Sequence, residues 1–363
     1  MTQTLPSSSR HPVITEDLDA ILARPLPWER FDGVAVLIAG AGGMLPAYLV
    51  ETLLRRNETL PTDRQTRVYA LVRDEAKARR RFAAYEGRDD LRYLAQDVSE
   101  PIGGGERFDF LIHAASPATP KRYATHPVDT IAANVSGTRN VLERARADGS
   151  TGGVLFLSSG EVYGQTPPGV DRIAENAYGY LDPTQVRACY GESKRLGETM
   201  CVAYDKQYGV PVRIVRPFHT YGPGMVLDDG RVFADFLADV IAGRDIVIKS
   251  DGRAVRAFCY NSDAAAGFFA VLLTGASSRA YNVGNPEQTY SIRELAEVMV
   301  GLYPEKGLRV IFEVRDARDG YMPSPIAHNS PDVTKLRALG WNAAVAAPDG
   351  FRRTAQWLRD TGA

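Results

Sequence analysis

The sequence predicts an α/β protein with a doubly wound parallel sheet (a Rossmann-type fold), joined to a smaller C-terminal α/β domain. Between residues 34 and 217, short runs rich in Val, Ile and Leu alternate with segments of helical periodicity. A glycine-rich segment follows the first run directly, and after Pro217 the runs become shorter. Near-continuous apolar strands separated by helices are typical of a parallel sheet covered on both faces.

The elements follow from the same patterns, taken in chain order. Strands are predicted at residues 34–39, 68–72, 91–96, 110–113, 154–157 and 212–215. Helices are predicted at residues 45–54, 127–147 and 189–208, and then near 231–242, 263–273, 292–302 and 332–339. Shorter strands are predicted at residues 246–248 and 309–312. We assign residues 1–31 to an N-terminal extension, 32–217 to the sheet domain and 218–363 mainly to the second domain, with an interleaved boundary expected.

Composition excludes several classes of protein. The 363 residues carry a net charge of −1, and the basic run at 77–81 has no aromatic residues within it, so we expect no nucleic-acid partner. No segment approaches about 18 consecutive apolar residues, and no apolar signal region begins the chain, which predicts a cytoplasmic protein without a membrane span. Three cysteines and five histidines are scattered. We therefore expect reduced thiols and no metal site.

The glycine-rich segment predicts a dinucleotide site. It runs from Gly40 to Pro46, follows the first strand and opens the first helix. Small residues there allow backbone N–H groups and the positive helix end to approach a pyrophosphate. Gly40 and Gly43 supply the G-x-x-G part of the fingerprint, whereas Pro46 replaces its third glycine. Met44 and Leu45, in the first helical turn, complete the predicted phosphate-binding loop.

Two further positions bear on the identity of the dinucleotide. Arg73, after the second strand, can accept a 2′-phosphate, which favours NADP, or lie over the adenine ring, which leaves NAD. Asp97 and Val98, after the third strand, are predicted to contact adenine. Asp97 can instead cap a turn.

The catalytic prediction rests on three side chains. Tyr190 and Lys194 are four residues apart in a predicted helix and therefore share one face. An ammonium beside a phenol favours the phenolate, which can take a proton from a sugar hydroxyl. Ser159 ends the fifth strand, at the sheet edge where ligands bind in open α/β folds. Together these side chains predict a proton relay around a sugar carbinol.

Residues 33–345 resemble the extended short-chain dehydrogenase/reductases that act on nucleotide sugars. Among these, the sequence is most similar to the UDP-glucuronate decarboxylases. The matching segments are residues 112–118, 158–164, 187–201, 221–223, 229–232, 256–258, 282–286 and 331–332. The resemblance implies an NAD-dependent enzyme that remodels a nucleotide sugar, expected to be UDP-linked, through a transient 4-keto intermediate. It also implies a homodimer.

The resemblance assigns roles to individual residues. Tyr190 is the base for the sugar C4 hydroxyl, and Lys194 lowers its pKa and holds the nicotinamide ribose. Ser159 shares the hydrogen bond to the C4 oxygen. Glu161 matches an acidic residue near C5, and Arg256 an arginine implicated in decarboxylation. Further cofactor contacts are implied at Ala114, Ala115, Ser116 and Pro217, and substrate contacts at Ser116, Glu161, His219, Arg231 and Arg256.

Four of these assignments have a simpler structural interpretation. Glu161 can act as a cap or pair with a lysine, and Arg256 can act only as an anchor for a diphosphate. Arg231 can form a salt bridge within its own loop. His219 can be a structural histidine.

Three departures from the decarboxylase pattern leave the exact reaction open. Gly160 replaces the serine of decarboxylases and the aspartate of 4,6-dehydratases, Gly224 replaces an arginine, and Asn329-Ser330 replaces a basic pair. Decarboxylation of UDP-glucuronate is the leading expectation and C4 epimerisation is the alternative. A 4,6-dehydratase, or an NADPH-dependent ketoreductase suggested by Arg73, is less favoured.

Overall fold

A computed structural model describes residues 10–167, 169–313 and 328–362. Its centre is a seven-stranded sheet in which every neighbouring pair is parallel, with the order β11-β6-β5-β4-β1-β2-β3. These strands are β1 (Ala35–Ala39), β2 (Arg67–Val72), β3 (Leu91–Ala95), β4 (Phe110–His113), β5 (Gly153–Leu157), β6 (Val212–Pro217) and β11 (Arg279–Val283). The predicted fold class is confirmed.

Helices cover both faces of this sheet and build the second part of the chain. They are α1 (Pro12–Leu22), α2 (Met44–Asn57), α3 (Glu75–Arg81), α4 (Pro120–Thr125), α5 (Pro127–Asp148), α6 (Ala188–Tyr208), α7 (Val232–Ala242), α8 (Asn261–Thr274), α9 (Ile292–Gly301), α10 (Thr334–Arg337) and α11 (Ala347–Thr361). In the part of the chain that the structure describes, no helix is long and apolar enough to cross a membrane.

Short strands form three small sheets in the second part. They are β7 (Thr220–Tyr221), β8 (Ile246–Ile248), β9 (Val255–Ala257), β10 (Cys259–Tyr260), β12 (Thr289–Ser291), β13 (Val310–Phe312) and β14 (His328–Asn329). The pairs are β10-β7 and β13-β8, and β9 lies between β12 and β14.

The chain order fixes where a ligand can bind. From β1 the chain moves outward through β2 and β3, then returns to β4 on the other side of β1. The crevice at this switch point, outside the carboxyl ends of the strands, is the general ligand site of open α/β sheets. The predicted glycine-rich loop follows β1 and therefore lies at this crevice.

Strand β11 and helix α8 come from beyond residue 217 but belong to the large sheet. β11 pairs in parallel with β6, with Ala280 opposite Ile214. Every residue of α8 from Asn261 to Leu273 is buried. Residues on both sides of position 217 therefore build the same layer.

Helix α1 and Phe31 anchor the described N-terminal extension in the core. Leu18, Ile21 and Phe31 are buried in the main apolar cluster of the sheet domain. Asp17 of α1 is also buried, and its carboxylate accepts hydrogen bonds from Tyr48 Oη at 2.7 Å, Tyr260 Oη at 2.9 Å and Arg353 Nη2 at 2.8 Å. Asp17 thus links α1 to three elements from distant parts of the sequence. Residues 1–9 lie outside the described residues.

Candidate active site

One large cleft, with a volume of ≈ 1390 Å³, runs along the carboxyl ends of the parallel strands. Its wall contains every residue predicted to bind the cofactor: Gly40, Gly43, Met44, Leu45, Arg73, Asp97, Val98, Ala114, Ala115, Ser116, Tyr190, Lys194 and Pro217. Of the predicted substrate contacts, Ser116 and Arg231 line the cleft, whereas Glu161, His219 and Arg256 do not. Ser159 lies behind the wall, next to Tyr190.

The loop after β1 has the geometry that a dinucleotide phosphate requires. Gly40 has φ +80°, and a Cβ there would lie 2.6 Å from the Cα of Ala115, so only glycine allows β1 and β4 to approach so closely. Gly43 is the N-cap of α2, and Pro46 occupies the first turn. In the described chain, the buried Oγ of Ser116 has no hydrogen-bond partner. The close backbone approach at Gly40, the helix N-terminus at Gly43 and the free hydroxyl of Ser116 lie together. This arrangement is compatible with a bound dinucleotide.

Arg73 and Asp97 face each other at the adenosine end. Arg73 Nη1 lies 3.8 Å from Asp97 Oδ2. Asp97 also accepts hydrogen bonds from the backbone N–H of Ser99 at 2.8 Å and from its hydroxyl at 2.7 Å. Burial alone would raise the pKa of Asp97, but the hydrogen bonds from Ser99 outweigh it and the pKa is lowered. Asp97 therefore caps a turn, which was the alternative to a contact with adenine. Asp97 also lines the cleft.

Tyr190 and Lys194 share one face of α6, as predicted, and that face is buried. Lys194 Nζ donates a hydrogen bond to the backbone oxygen of Leu157 at 2.7 Å and lies 5.9 Å from the centre of the Tyr190 ring. Burial lowers the pKa of Lys194 to about 7. The ammonium is thus held against the end of β5, and the phenol is beside it.

Burial opposes the phenolate that the spacing of Tyr190 and Lys194 predicts. Burial raises the pKa of Tyr190 to about 12, and this outweighs a hydrogen bond with Ser159 and the positive charges of Arg187 and Arg231, which lower it. A spacing of four residues identifies the neighbours, but it does not reveal how far they are removed from water. Ionisation of Tyr190 near neutral pH therefore needs an additional source of stabilisation.

Ser159 is positioned by the end of β5. Its hydroxyl interacts with the side chain of Tyr190 and accepts a hydrogen bond from the backbone N–H of Glu161 at 3.2 Å. The structure therefore brings Ser159, Tyr190 and Lys194 together, as the sequence predicted.

Glu161 forms an ion pair with an arginine and not with the lysine considered as its partner, and the surroundings of this pair include Tyr190. Glu161 Oε2 lies 3.1 Å from Arg187 Nη2. The Arg187 guanidinium lies 4.8 Å from the centre of the Tyr123 ring, and that ring stacks on Tyr190 at 5.4 Å with an interplanar angle of 22°. Sequence reasoning missed Tyr123 and gave Arg187 no role. The position of Arg187, three residues before Tyr190, was the available signal.

Arg231 forms the ion pair within its own loop. Its Nε donates to Asp229 Oδ2 at 2.7 Å, and its guanidinium lies 4.8 Å from the Phe233 ring centre. Asp229 is buried. Both side chains line the cleft, so the loop pair and a contact with substrate are compatible.

His219 and Arg256 do not line the cleft. His219 is partly buried, and its enclosed Nδ1 has no hydrogen-bond partner among the described residues. Burial, followed by the charges of Arg256 and Arg231, lowers the pKa of His219 to about 3, so the ring is neutral. Arg256 is buried on β9 and donates to the backbone oxygen of Val255 at 2.7 Å. Neither reaches the cleft wall, although Thr220, next to His219, does.

Comparison with known proteins agrees with this geometry. Residues 36–284 match the profile of the NAD dependent epimerase/dehydratase family. UDP-glucuronic acid decarboxylase 6 of Arabidopsis thaliana is 33% identical over 320 residues, which are 87% of this chain and 86% of the relative. UDP-glucuronic acid decarboxylase 1 of Xenopus tropicalis is 32% identical over 330 residues, 90% of this chain and 73% of the relative.

Solved structures show the same fold. A UDP-glucose 4-epimerase from Thermotoga maritima superimposes with a TM-score of 0.75 at 18% identity. The match covers 91% of this chain and 100% of the epimerase chain. A dTDP-glucose 4,6-dehydratase from Streptomyces venezuelae with bound NAD superimposes with a TM-score of 0.73 at 24% identity. The match covers 90% of this chain and 97% of the dehydratase chain. The expected extended Rossmann architecture is therefore confirmed.

Proposed function

Because this chain belongs to the NAD dependent epimerase/dehydratase family, we propose that it uses NAD to remodel a nucleotide sugar, specifically by decarboxylating UDP-glucuronate. The observation that carries this proposal is the grouping of Tyr190, Ser159 and Lys194 beside the dinucleotide cleft. The identity of the curated relatives supports the substrate.

The cleft residues would hold the cofactor along its length. Gly40 and Gly43 admit the pyrophosphate, Ser116 offers its unsatisfied hydroxyl, and Asp97 lies at the adenosine end. NAD is favoured over NADP because Arg73 faces the carboxylate of Asp97, which would repel a 2′-phosphate. Bound NAD would accept a hydride from the sugar and return it, and the positive charge of its oxidised ring would favour the Tyr190 phenolate.

Tyr190 would act as the base for the sugar C4 hydroxyl. Its hydroxyl interacts with Ser159, which can pass a hydrogen bond on to the C4 oxygen. Arg187 and Arg231 add positive charge that lowers the pKa of Tyr190, and Glu161 opposes them. Since burial holds that pKa at about 12 in the chain alone, Tyr190 remains protonated until the loaded site supplies further positive charge.

Oxidation at C4 makes decarboxylation possible. The resulting ketone is β to the C5 carboxylate of a uronic acid, so carbon dioxide can leave with the electrons held as an enolate. Proton return to carbon and hydride return to C4 then complete a redox-neutral reaction. Glu161 and Arg187, the charged pair beside Tyr123, lie behind the cleft wall, and we propose that they act on the C5 side of the sugar through the charge that they place near Tyr190.

Gly160 argues against a 4,6-dehydratase of the usual pattern, because it offers no acidic side chain at this position. A Cβ here would lie 3.3 Å from three carbons of the Phe218 ring, so any larger residue would require a small shift of Phe218. This crowding applies equally to the serine of the decarboxylase pattern and does not separate the two reactions. C4 epimerisation is the second candidate, since that reaction needs no acid–base group at this position.

Carboxyl-¹³C-labelled UDP-glucuronate separates the two candidates. We expect purified protein with catalytic NAD to release the label as carbon dioxide and to leave a UDP-pentose, observed by NMR. A product that keeps the labelled carboxylate with inverted C4 would contradict decarboxylation and establish epimerisation. UDP-glucose, which has no carboxylate to lose, serves as the control substrate and should give no labelled or unlabelled carbon dioxide.

We also propose that the protein is a homodimer formed through α5 and α6. These helices pack together, and their outer surfaces expose the apolar residues Val128, Ile131, Leu196 and Val202, between 43% and 74% accessible. Light scattering coupled to size exclusion should give about twice the chain mass of 39.7 kDa. Ile131→Glu should lower this mass, whereas Val226→Glu, at an exposed site elsewhere, should not. A wild-type mass of one chain would disprove the dimer.

A further inference from the structure

Arg81 is an incompletely satisfied cation in the wall of the cleft. It is the last residue of α3, and only 18% of its side chain is exposed. Its Nε and Nη2 atoms are buried and have no hydrogen-bond partner among the described residues. The nearest carboxylate, Glu51 Oε2, lies 3.9 Å from Nη2, which is too far for a hydrogen bond. A buried guanidinium with unmade hydrogen bonds is costly unless a ligand completes them.

Gly224 provides the space that this guanidinium occupies. Its φ is +87°, and a Cβ built there would lie 2.8 Å from both Nη1 and Nη2 of Arg81. Any side chain at position 224 would therefore require the head group of Arg81 to shift. The glycine and the arginine, far apart in sequence, form a matched pair.

The local charge favours an anion. Burial raises the pKa of Glu51, against the lowering effect of Arg81 and Arg10, and Glu51 Oε2 has no hydrogen-bond partner among the described residues. The Glu51 carboxylate therefore compensates the charge of Arg81 poorly. The Trp357 ring, 5.9 Å from the guanidinium, adds an aromatic face but no negative charge.

Arg81 lines the same cleft as the predicted phosphate loop. Gly43, Met44, Glu51 and Gly224 line that cleft together with Arg81. Met44, the first residue of α2, packs against the apolar cluster that contains Met225, the neighbour of Gly224. The guanidinium and the N-terminus of α2 therefore face one continuous space.

We propose that Arg81 binds the pyrophosphate of the dinucleotide, together with the N-terminus of α2. The planar fork of a guanidinium matches phosphate oxygens, which would satisfy its two buried N–H groups at once. This inference rests on the proposed use of NAD. It assigns phosphate recognition to a residue of α3, outside the glycine-rich loop. It also explains why position 224 is a glycine, since a side chain there would meet the Arg81 guanidinium.

Calorimetric titration with nucleotide fragments tests the assignment without measuring catalysis. Purified protein freed of bound nucleotide would be titrated with NAD, NADP, ADP and adenosine. We expect Arg81→Ala to raise the Kd for NAD, NADP and ADP by roughly 10- to 100-fold and to leave adenosine unchanged. Arg81→Lys, which keeps the charge but not the fork, should fall between Arg81→Ala and the wild type. Arg79→Ala, on the same helix and paired with Glu75, is the matched control and should bind as the wild type does.

The remaining outcomes would overturn the proposal in distinguishable ways. Unchanged ADP binding in Arg81→Ala would show that Arg81 makes no phosphate contact. A loss confined to NADP would assign Arg81 to the 2′-phosphate instead, and an equal loss for adenosine would indicate a purely structural role. If wild-type protein bound none of these ligands, the proposed use of NAD would fail together with this inference.

Discussion

Tyr190→Phe is expected to lower kcat for the nucleotide sugar by about 10²–10⁴-fold, the range typical of a lost acid–base group. The substitution removes the only atom of Tyr190 that can exchange a proton, while the ring keeps its stacking on Tyr123. Steady-state rates measured by product chromatography would give kcat, and titration with NAD would show whether the cofactor still binds. We expect the Kd for NAD to change by less than the rate does.

Tyr123→Phe is the matched control for this prediction. It removes a hydroxyl from the neighbouring ring and leaves the stacked pair and the Arg187 contact intact. Activity near that of the wild type is expected. If Tyr190→Phe kept more than about a tenth of wild-type kcat, or if both variants lost activity equally, Tyr190 would not be the proton acceptor.

Asp17→Ala should produce the largest loss of stability, about 3–5 kcal/mol in the free energy of unfolding. Asp17 is 2% exposed, and its removal would leave Tyr48, Tyr260 and Arg353 without their shared acceptor. The unpaired phenols and guanidinium would each carry an uncompensated cost of desolvation. Urea denaturation followed by circular dichroism would measure the difference.

Asp19→Ala on the same helix provides the comparison. Asp19 pairs with Arg55 at the surface, where its side chain is half exposed. Such a pair contributes about 0–1 kcal/mol. Equal losses for the two substitutions would mean that the buried network around Asp17 does not anchor α1.

The sheet could be predicted because its central strands carry their own signal. Buried on both faces, β1, β2, β4, β5 and β6 read as apolar runs, and each was placed within three residues of its observed limits. Strand β11 was missed because its sequence, Arg-Ala-Tyr-Asn-Val, contains polar residues and lies at the edge of the sheet.

Helix α11 was missed for a tertiary reason. It begins with Ala-Pro-Asp-Gly, which resembles a turn more than a helix. Gly350 is needed there because a Cβ would lie 2.2 Å from Tyr221 Oη, and Phe351 then stacks on Tyr221 at 3.9 Å. Packing against a distant strand, and not local propensity, makes this segment helical.

The residues of the candidate site fall into two groups, those that a local sequence pattern identifies and those that only the folded chain brings together. The phosphate loop and the Tyr190–Lys194 pair are local patterns, so sequence alone located them. The contacts of Arg81 with Gly224 and of Arg187 with Tyr123 join residues more than 60 positions apart, and no local pattern records them. The rise in the pKa of Tyr190 could not be predicted, because it depends on burial, which residue spacing does not report.

The most direct test follows absorbance at 340 nm and product formation in one sample of protein, catalytic NAD and UDP-glucuronate. A hydride that leaves C4 and returns in the same turnover predicts many products per NAD with no net rise in absorbance. One reduced dinucleotide accumulating for each product, or turnover that needs no NAD at all, would contradict the redox-neutral chemistry assigned to this cleft.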